Sequence, residues 1–134
     1  MQLIAKLVSP LKVTLPRKIK NDRSWILNLN NYRNTHFQIL NQAKHLYKDF
    51  MQEQIVILPS LQRIAVRFIL FPRTQRMVDT SNVCSIHDKF FMDALVEAHK
   101  LPDDNYRHYV ETGYKFGGID KGNPRVDIEI YAVT

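Results

Sequence analysis

LQRIAVRFILF, residues 61–71, decides the fold. Ile64, Val66, Phe68 and Leu70 fall on one side of an extended chain and Arg63 and Arg67 on the other, the alternation of a half-buried β-strand with a basic outer face. Arg73 and Arg76 follow, then Asp79, so the strand delivers two guanidinium groups and a carboxylate to one edge. The chain next reads DTSNVCSIHDKFFMDALVEAHKLPDD, residues 79–104. Val83, Ile86, Phe90, Ala94 and Ala98 recur at helical spacing, widened by Phe91 and Leu95, while Ser85, Asp88, Lys89 and Asp93 fall on the other side. Ser81, with Asp79 and Thr80 beside it, is the expected N-cap. Pro102 stops the helix and starts a loop carrying Asp103 and Asp104. Carboxylates held close repel unless a cation or a proton neutralises them, so this acidic stretch asks for a partner.

Outward from this centre, Tyr106–Phe116 is a second alternating segment. His108, Val110, Thr112, Tyr114 and Phe116 oppose Tyr109, Glu111 and Lys115. A glycine-rich turn over residues 117–124 carries Lys121 but lacks the Gly-Lys-Ser/Thr and following helix of a phosphate-cradling loop. Arg125–Val133 is the last strand, with Val126, Ile128, Ile130 and Ala132 as its inner face, and the last two strands read as a hairpin. Upstream, Thr35–Gln54 is a helix with an apolar stripe through Phe37, Leu40, Ala43, Tyr47 and Met51. His36 and His45 lie on it without a spaced partner for a metal. Trp25–Asn34 holds four asparagines, which suit turns and also hydrogen-bond phosphates and bases. Leu3–Leu15 is extended and punctuated by Pro10 and Pro16. Arg17, Lys18, Lys20 and Arg23 follow in a polar loop that is either a solvated connection or a set of phosphate contacts. The predicted order is β-α-β-α-β-β, an α+β fold in which two main helices pack on one face of a mixed β-sheet.

The 134 residues fit one domain, 1–134, large enough for a proper core. Lys and Arg number 19 against 13 Asp and Glu, a net charge of +6 that favours an acidic partner, nucleic acid before anionic membrane. A basic protein with no such partner is the plainer reading of charge alone. An acidic patch inside a basic chain suggests divalent-metal chemistry on a polyanion. Cys84 is the single cysteine, so no intramolecular disulfide forms, and its place beside the buried stripe suits a packed thiol. MQLIAKLVSPLKV at the start is broken by Lys6, Pro10 and Lys12 and has no apolar run long enough for a signal peptide or span. The expected location is cytoplasmic, with no membrane partner.

The order of elements and the central stretch resemble the RusA-like Holliday-junction resolvases, small dimeric endonucleases of bacteria and their phages. Members of that family carry a strand ending in basic residues, an Asp-x-Asp-Asn motif opening a helix, a lysine shortly before a Phe-Asp-Ala-Leu run, and an Asp-Asp pair in the next loop. Here Asp79-Thr80-Ser81-Asn82 occupies the first motif, Lys89 precedes Met92-Asp93-Ala94-Leu95, and Asp103-Asp104 stands where the pair is expected. Asn30-Asn31-Tyr32-Arg33 is similar to the asparagine-rich segment before the family's first helix. The resemblance covers most of the chain and rests on few residues. Two departures stand out. Ser81 replaces the motif's second aspartate, and about one extra helical turn lies between Asn82 and Lys89, which brings in Asp88 as a replacement carboxylate.

The resemblance implies a metal-dependent, structure-selective endonuclease that resolves Holliday junctions or other branched DNA in recombination, repair or phage genome processing. It implies Mg²⁺, with Mn²⁺ able to substitute, four-way or branched DNA as partner, and a homodimer. Asp79, Lys89 and Asp104 are the expected catalytic set. Asp79, Asp88 and Asp104 are the expected metal ligands, with Asp103 a further candidate. Lys89 would stabilise charge developing on the scissile phosphate, the alternative being a surface salt bridge to Asp93 or Glu97. Arg17, Lys18, Lys20, Asn31, Arg33, Arg67, Arg73, Arg76, Asn82 and Lys121 are the expected DNA contacts. Because Ser81 removes a carboxylate, a module that binds branched DNA without cutting it is the alternative.

Overall fold

The computed structural model describes residues 1–134. The elements are β1 (Gln2–Ser9), β2 (Lys12–Leu15), β3 (Arg23–Ile26), α1 (Leu29–Asn34), α2 (Phe37–Val56), β4 (Ile64–Phe71), α3 (Thr80–Glu97), β5 (Tyr109–Phe116) and β6 (Arg125–Ala132). Four strands form a mixed sheet in the order β1-β6-β4-β5, and β2 and β3 form a separate antiparallel ribbon. The α+β architecture expected from the sequence is the one observed. Its N-terminal half is richer than expected: Leu3–Leu15 divides into β1 and β2, and the asparagine-rich segment contains the end of β3 and a short helix.

β4 sits inside the sheet because its alternation serves a packed face. Ile64, Val66, Phe68 and Leu70 are buried, whereas Arg67 is exposed. β6 pairs antiparallel with β4 on one side and with β1 on the other, and β5 runs parallel to β4 on the remaining edge. The expected β5–β6 hairpin is therefore absent, since β4 lies between the two strands. Parallel strands need a long crossover, and α3 supplies it between β4 and β5. Residues 117–124 carry the chain past the end of β4, with Gly117 N–H donating to the Leu70 carbonyl at 2.8 Å.

Both long helices cover the same face of the sheet. α3 buries Phe91 edge-on against Phe68, with ring centroids 6.5 Å apart. On its other side Phe90 stacks on Trp25 at 5.5 Å and meets Tyr47 of α2 edge-on at 5.6 Å. α2 is tied to β1 through Gln54, whose side chain accepts from Val8 N–H at 2.7 Å and donates to the Val8 carbonyl at 2.9 Å. The stripe of α2 runs through Ala43, Tyr47, Met51 and Ile55, and Phe37 lies outside it, exposed. α3 starts at Thr80, with Asp79 rather than Ser81 in the cap position and no side-chain cap bond. The opposite face of the sheet is polar. Lys6, Glu129 and Arg67 stand in register across three strands, and Arg67 lies over the Tyr131 ring at 5.5 Å.

Candidate functional site

Asp88, on α3, is held by two tyrosines of β5. Tyr109 donates its hydroxyl to one carboxylate oxygen at 2.9 Å and Tyr114 to the other at 2.7 Å. Alternation alone puts residues 109 and 114 on opposite faces. The β4–β5 register skips a residue, pairing Ile64 with Tyr109 but Ala65 with Glu111, and this bulge turns Tyr109 toward the helix side with Tyr114. Sequence reasoning missed both tyrosines as partners of Asp88 because a single inserted residue is invisible in an alternating pattern. Burial raises the Asp88 pKa; the two tyrosine hydrogen bonds and Lys89 oppose that rise, and Asp104 adds to it.

Asp103 and Asp104 lie in the loop beyond α3, in a depression of about 460 Å³ that also takes in Asp93, Lys44 and Lys48. Their environments push them apart. Asp103 accepts from the Asp104 N–H at 2.8 Å and from the Asn105 amide at 2.8 Å, which lowers its pKa. Partial burial, the Asp103 side chain and Asp93 raise that of Asp104. The two adjacent carboxylates are thus shifted in opposite directions.

Lys89 makes no salt bridge. Glu97 pairs with Lys48 instead, and the Lys89 ammonium lies 5.7 Å from the Tyr32 ring centroid, as does that of Lys44. Nothing in the sequence signals that Tyr32 or Lys44 would lie beside Lys89. Both come from elements before β4, so only tertiary packing brings them to α3. Cys84 is fully enclosed, and burial followed by the nearby Asp88 pushes its thiol up to about 12, as suits a packed side chain.

Asp79 stands apart from this group. It precedes Asp88 by nine residues, about 13 Å along the helix and two and a half turns around it. It borders a different depression, about 680 Å³, with Arg76, Asn82 and Phe116. Its side chain accepts from the Asn82 amide at 3.3 Å. The structure thus gathers Asp103 and Asp104 with Asp93, holds Asp88 between Tyr109 and Tyr114, and leaves Asp79 at the far end of α3. No group of three or more His, Cys, Asp or Glu side chains is gathered closely enough to hold a metal ion. Asp104 bears on Asp88 only as a minor charge that raises its pKa.

The expected DNA contacts spread over several surfaces. Arg17, Lys18 and Lys20 are exposed in the turn between β2 and β3, where the Arg17 guanidinium donates to the Asn21 carbonyl at 2.8 Å. Arg73 and Arg76 are exposed between β4 and α3, and Lys121 is exposed between β5 and β6. Arg33 is exposed on α1, whereas the Asn31 amide is committed to the Ile26 carbonyl at 2.9 Å. Arg67 is on the polar face of the sheet, away from α3, 3.9 Å from Glu129. No helix is long and apolar enough to cross a membrane. No protein-family model matches the chain, and no curated protein matches it.

Proposed function

We propose that the protein is a metal-dependent, structure-selective endonuclease acting on four-way or branched DNA as a homodimer. The observation that carries this reading is the depression lined by Asp93, Asp103, Asp104, Lys44 and Lys48, whose Asp93 lies on the same helix as Asp88 and Lys89, in a chain of net charge +6. Asp88 and Asp104 would hold Mg²⁺ or Mn²⁺, with Asp103 adjacent, and the metal would activate water and neutralise charge at the phosphate. Lys89, steadied by the Tyr32 ring, contributes a fixed positive charge where phosphate charge develops. Arg73 and Arg76 lie between the strand and the helix that carries these groups, at an edge suited to the sugar–phosphate backbone. The homodimer rests on the family resemblance and on Tyr106 and Phe116, aromatic side chains left largely exposed on and before the sheet's edge strand.

The position of Asp79 favours a second reading, a module that grips branched DNA without cutting it. Incubation with an end-labelled four-way junction separates the two. The nuclease gives nicks with Mg²⁺ and none with EDTA; the module gives only a shifted band. For the nuclease, Asp104→Asn abolishes cleavage and leaves junction affinity nearly unchanged. Cleavage by Asp104→Asn at the wild-type rate would remove Asp104 from the catalytic set.

A further inference from the structure

A cavity of about 480 Å³ opens away from the acidic region, where the end of β1, the start of β2, the end of β3 and one side of α2 meet the chain just past β4. Val8, Leu11, Ile26 and Phe50 give it apolar walls, and Lys12 and Arg73 stand at it as cations. Val8, Ile26 and Phe50 keep 43, 50 and 57% of their surface exposed. Large apolar groups gathered in the open mark a binding surface more often than singly scattered ones do. Neither Lys12 nor Arg73 makes an ion pair, and no acidic side chain lines the cavity. The third cation there, Arg125, is already taken by Asp120 and Asp127, each at 2.8 Å.

An occupant complementary to these walls is flat and apolar on one side and anionic on the other. We propose that the cavity receives an unpaired nucleotide of a DNA strand, its base against Phe50 and Ile26 and its phosphates against Lys12 and Arg73. Every base has a π-face that an aromatic side chain can stack against whatever the sequence, and lysine and arginine beside it neutralise the backbone. The proposal rests on the branched-DNA reading and adds to it a place for the strand that leaves the duplex. Arg73 links the two, since it lies in the segment that joins β4 to α3. A paired base in a duplex cannot enter, because its faces are already stacked.

The test uses the full chain with isotope-labelled isoleucine and valine methyl groups, titrated separately with tetrathymidylate, a blunt duplex and dodecyl phosphate. Tetrathymidylate is expected to shift the Val8 and Ile26 methyl signals, and the duplex to leave them in place. Phe50→Ala is expected to weaken tetrathymidylate binding about tenfold while duplex affinity and melting temperature hold, since Phe50 is mostly exposed. Unmoved Val8 and Ile26 signals, or an unchanged tetrathymidylate affinity in Phe50→Ala, overturn the proposal; if the four-way junction still binds, the branched-DNA reading survives. Failure of every nucleic acid to bind overturns both. Shifts produced equally by dodecyl phosphate overturn it in favour of an acyl-chain ligand.

Discussion

His87 is fully buried between layers that otherwise hold apolar side chains. Its Nδ1 lies 2.6 Å from Ser9 Oγ, which in turn lies 2.7 Å from the Tyr47 hydroxyl, while its Nε2 has no partner. The three residues come from β1, α2 and α3, so this small polar chain joins the edge of the sheet to both long helices. Burial pushes the imidazole pKa down from 6.5 to about 3. The unfolded chain therefore takes up the proton first. Stability from this site is complete above about pH 6.5 and is lost progressively as pH falls toward 3. The melting temperature in EDTA is expected to drop between about pH 7 and pH 4, and His87→Gln to flatten that part of the curve while melting lower at neutral pH. A wild-type melting temperature that stays level down to about pH 4.5 would contradict it. The depressed carboxylates Asp103 and Asp120 act in a lower window, below their ordinary 3.8. Nothing in the sequence marks His87, because a single apolar stripe describes a helix covered on one side and α3 is covered on more than one.

At the scale of elements, the end of β5 is fitted to β4 by the absence of a side chain. A Cβ on Gly117 would lie 2.6 Å from the Phe71 ring and 2.7 Å from an Ile69 methyl. The ring cannot easily give way, since the Arg125 guanidinium sits over it at 4.2 Å. Gly117→Ala is expected to cost about 1–3 kcal/mol, the range for forcing extra volume into a packed site, read as a lower urea midpoint with an unchanged slope. A midpoint equal to that of the wild type would mean that the strand end is looser than this. The elements themselves were largely legible. The alternation in β4 and β6 and the periodicity of α3 are local properties, and each gave its element and its buried face. What local patterns do not carry is pairing. β5 and β6 are neighbours in sequence but not in the sheet, where β4 lies between them. The bulge that brings Tyr109 to Asp88 is likewise a product of the assembled sheet, beyond any short window of sequence.

For the whole molecule, the net charge of +6 becomes a directional field only where cations lack acidic neighbours. Lys6, Arg67 and Arg125 are matched by Glu129, Asp120 and Asp127, whereas Arg73 and Arg76 make no ion pair. Replacing both with alanine is expected to lower the log–log salt slope of junction binding by about two units, one for each phosphate contact, and to leave the melting temperature in place. A lowered melting temperature with an unchanged slope would take them off the DNA-binding surface. The sheet order has its own consequence for how such a chain is made. β6 is the only strand beside β1 and also one of the two flanking β4. Of the sheet's strands, Gln2–Ser9 is made before the others and has no place in the sheet until Arg125–Ala132 has been made. The β4–α3–β5 segment can assemble from neighbours in sequence while translation continues. During synthesis the sheet therefore keeps an open groove between β1 and β4 until β6, the last of its four strands in sequence, closes it.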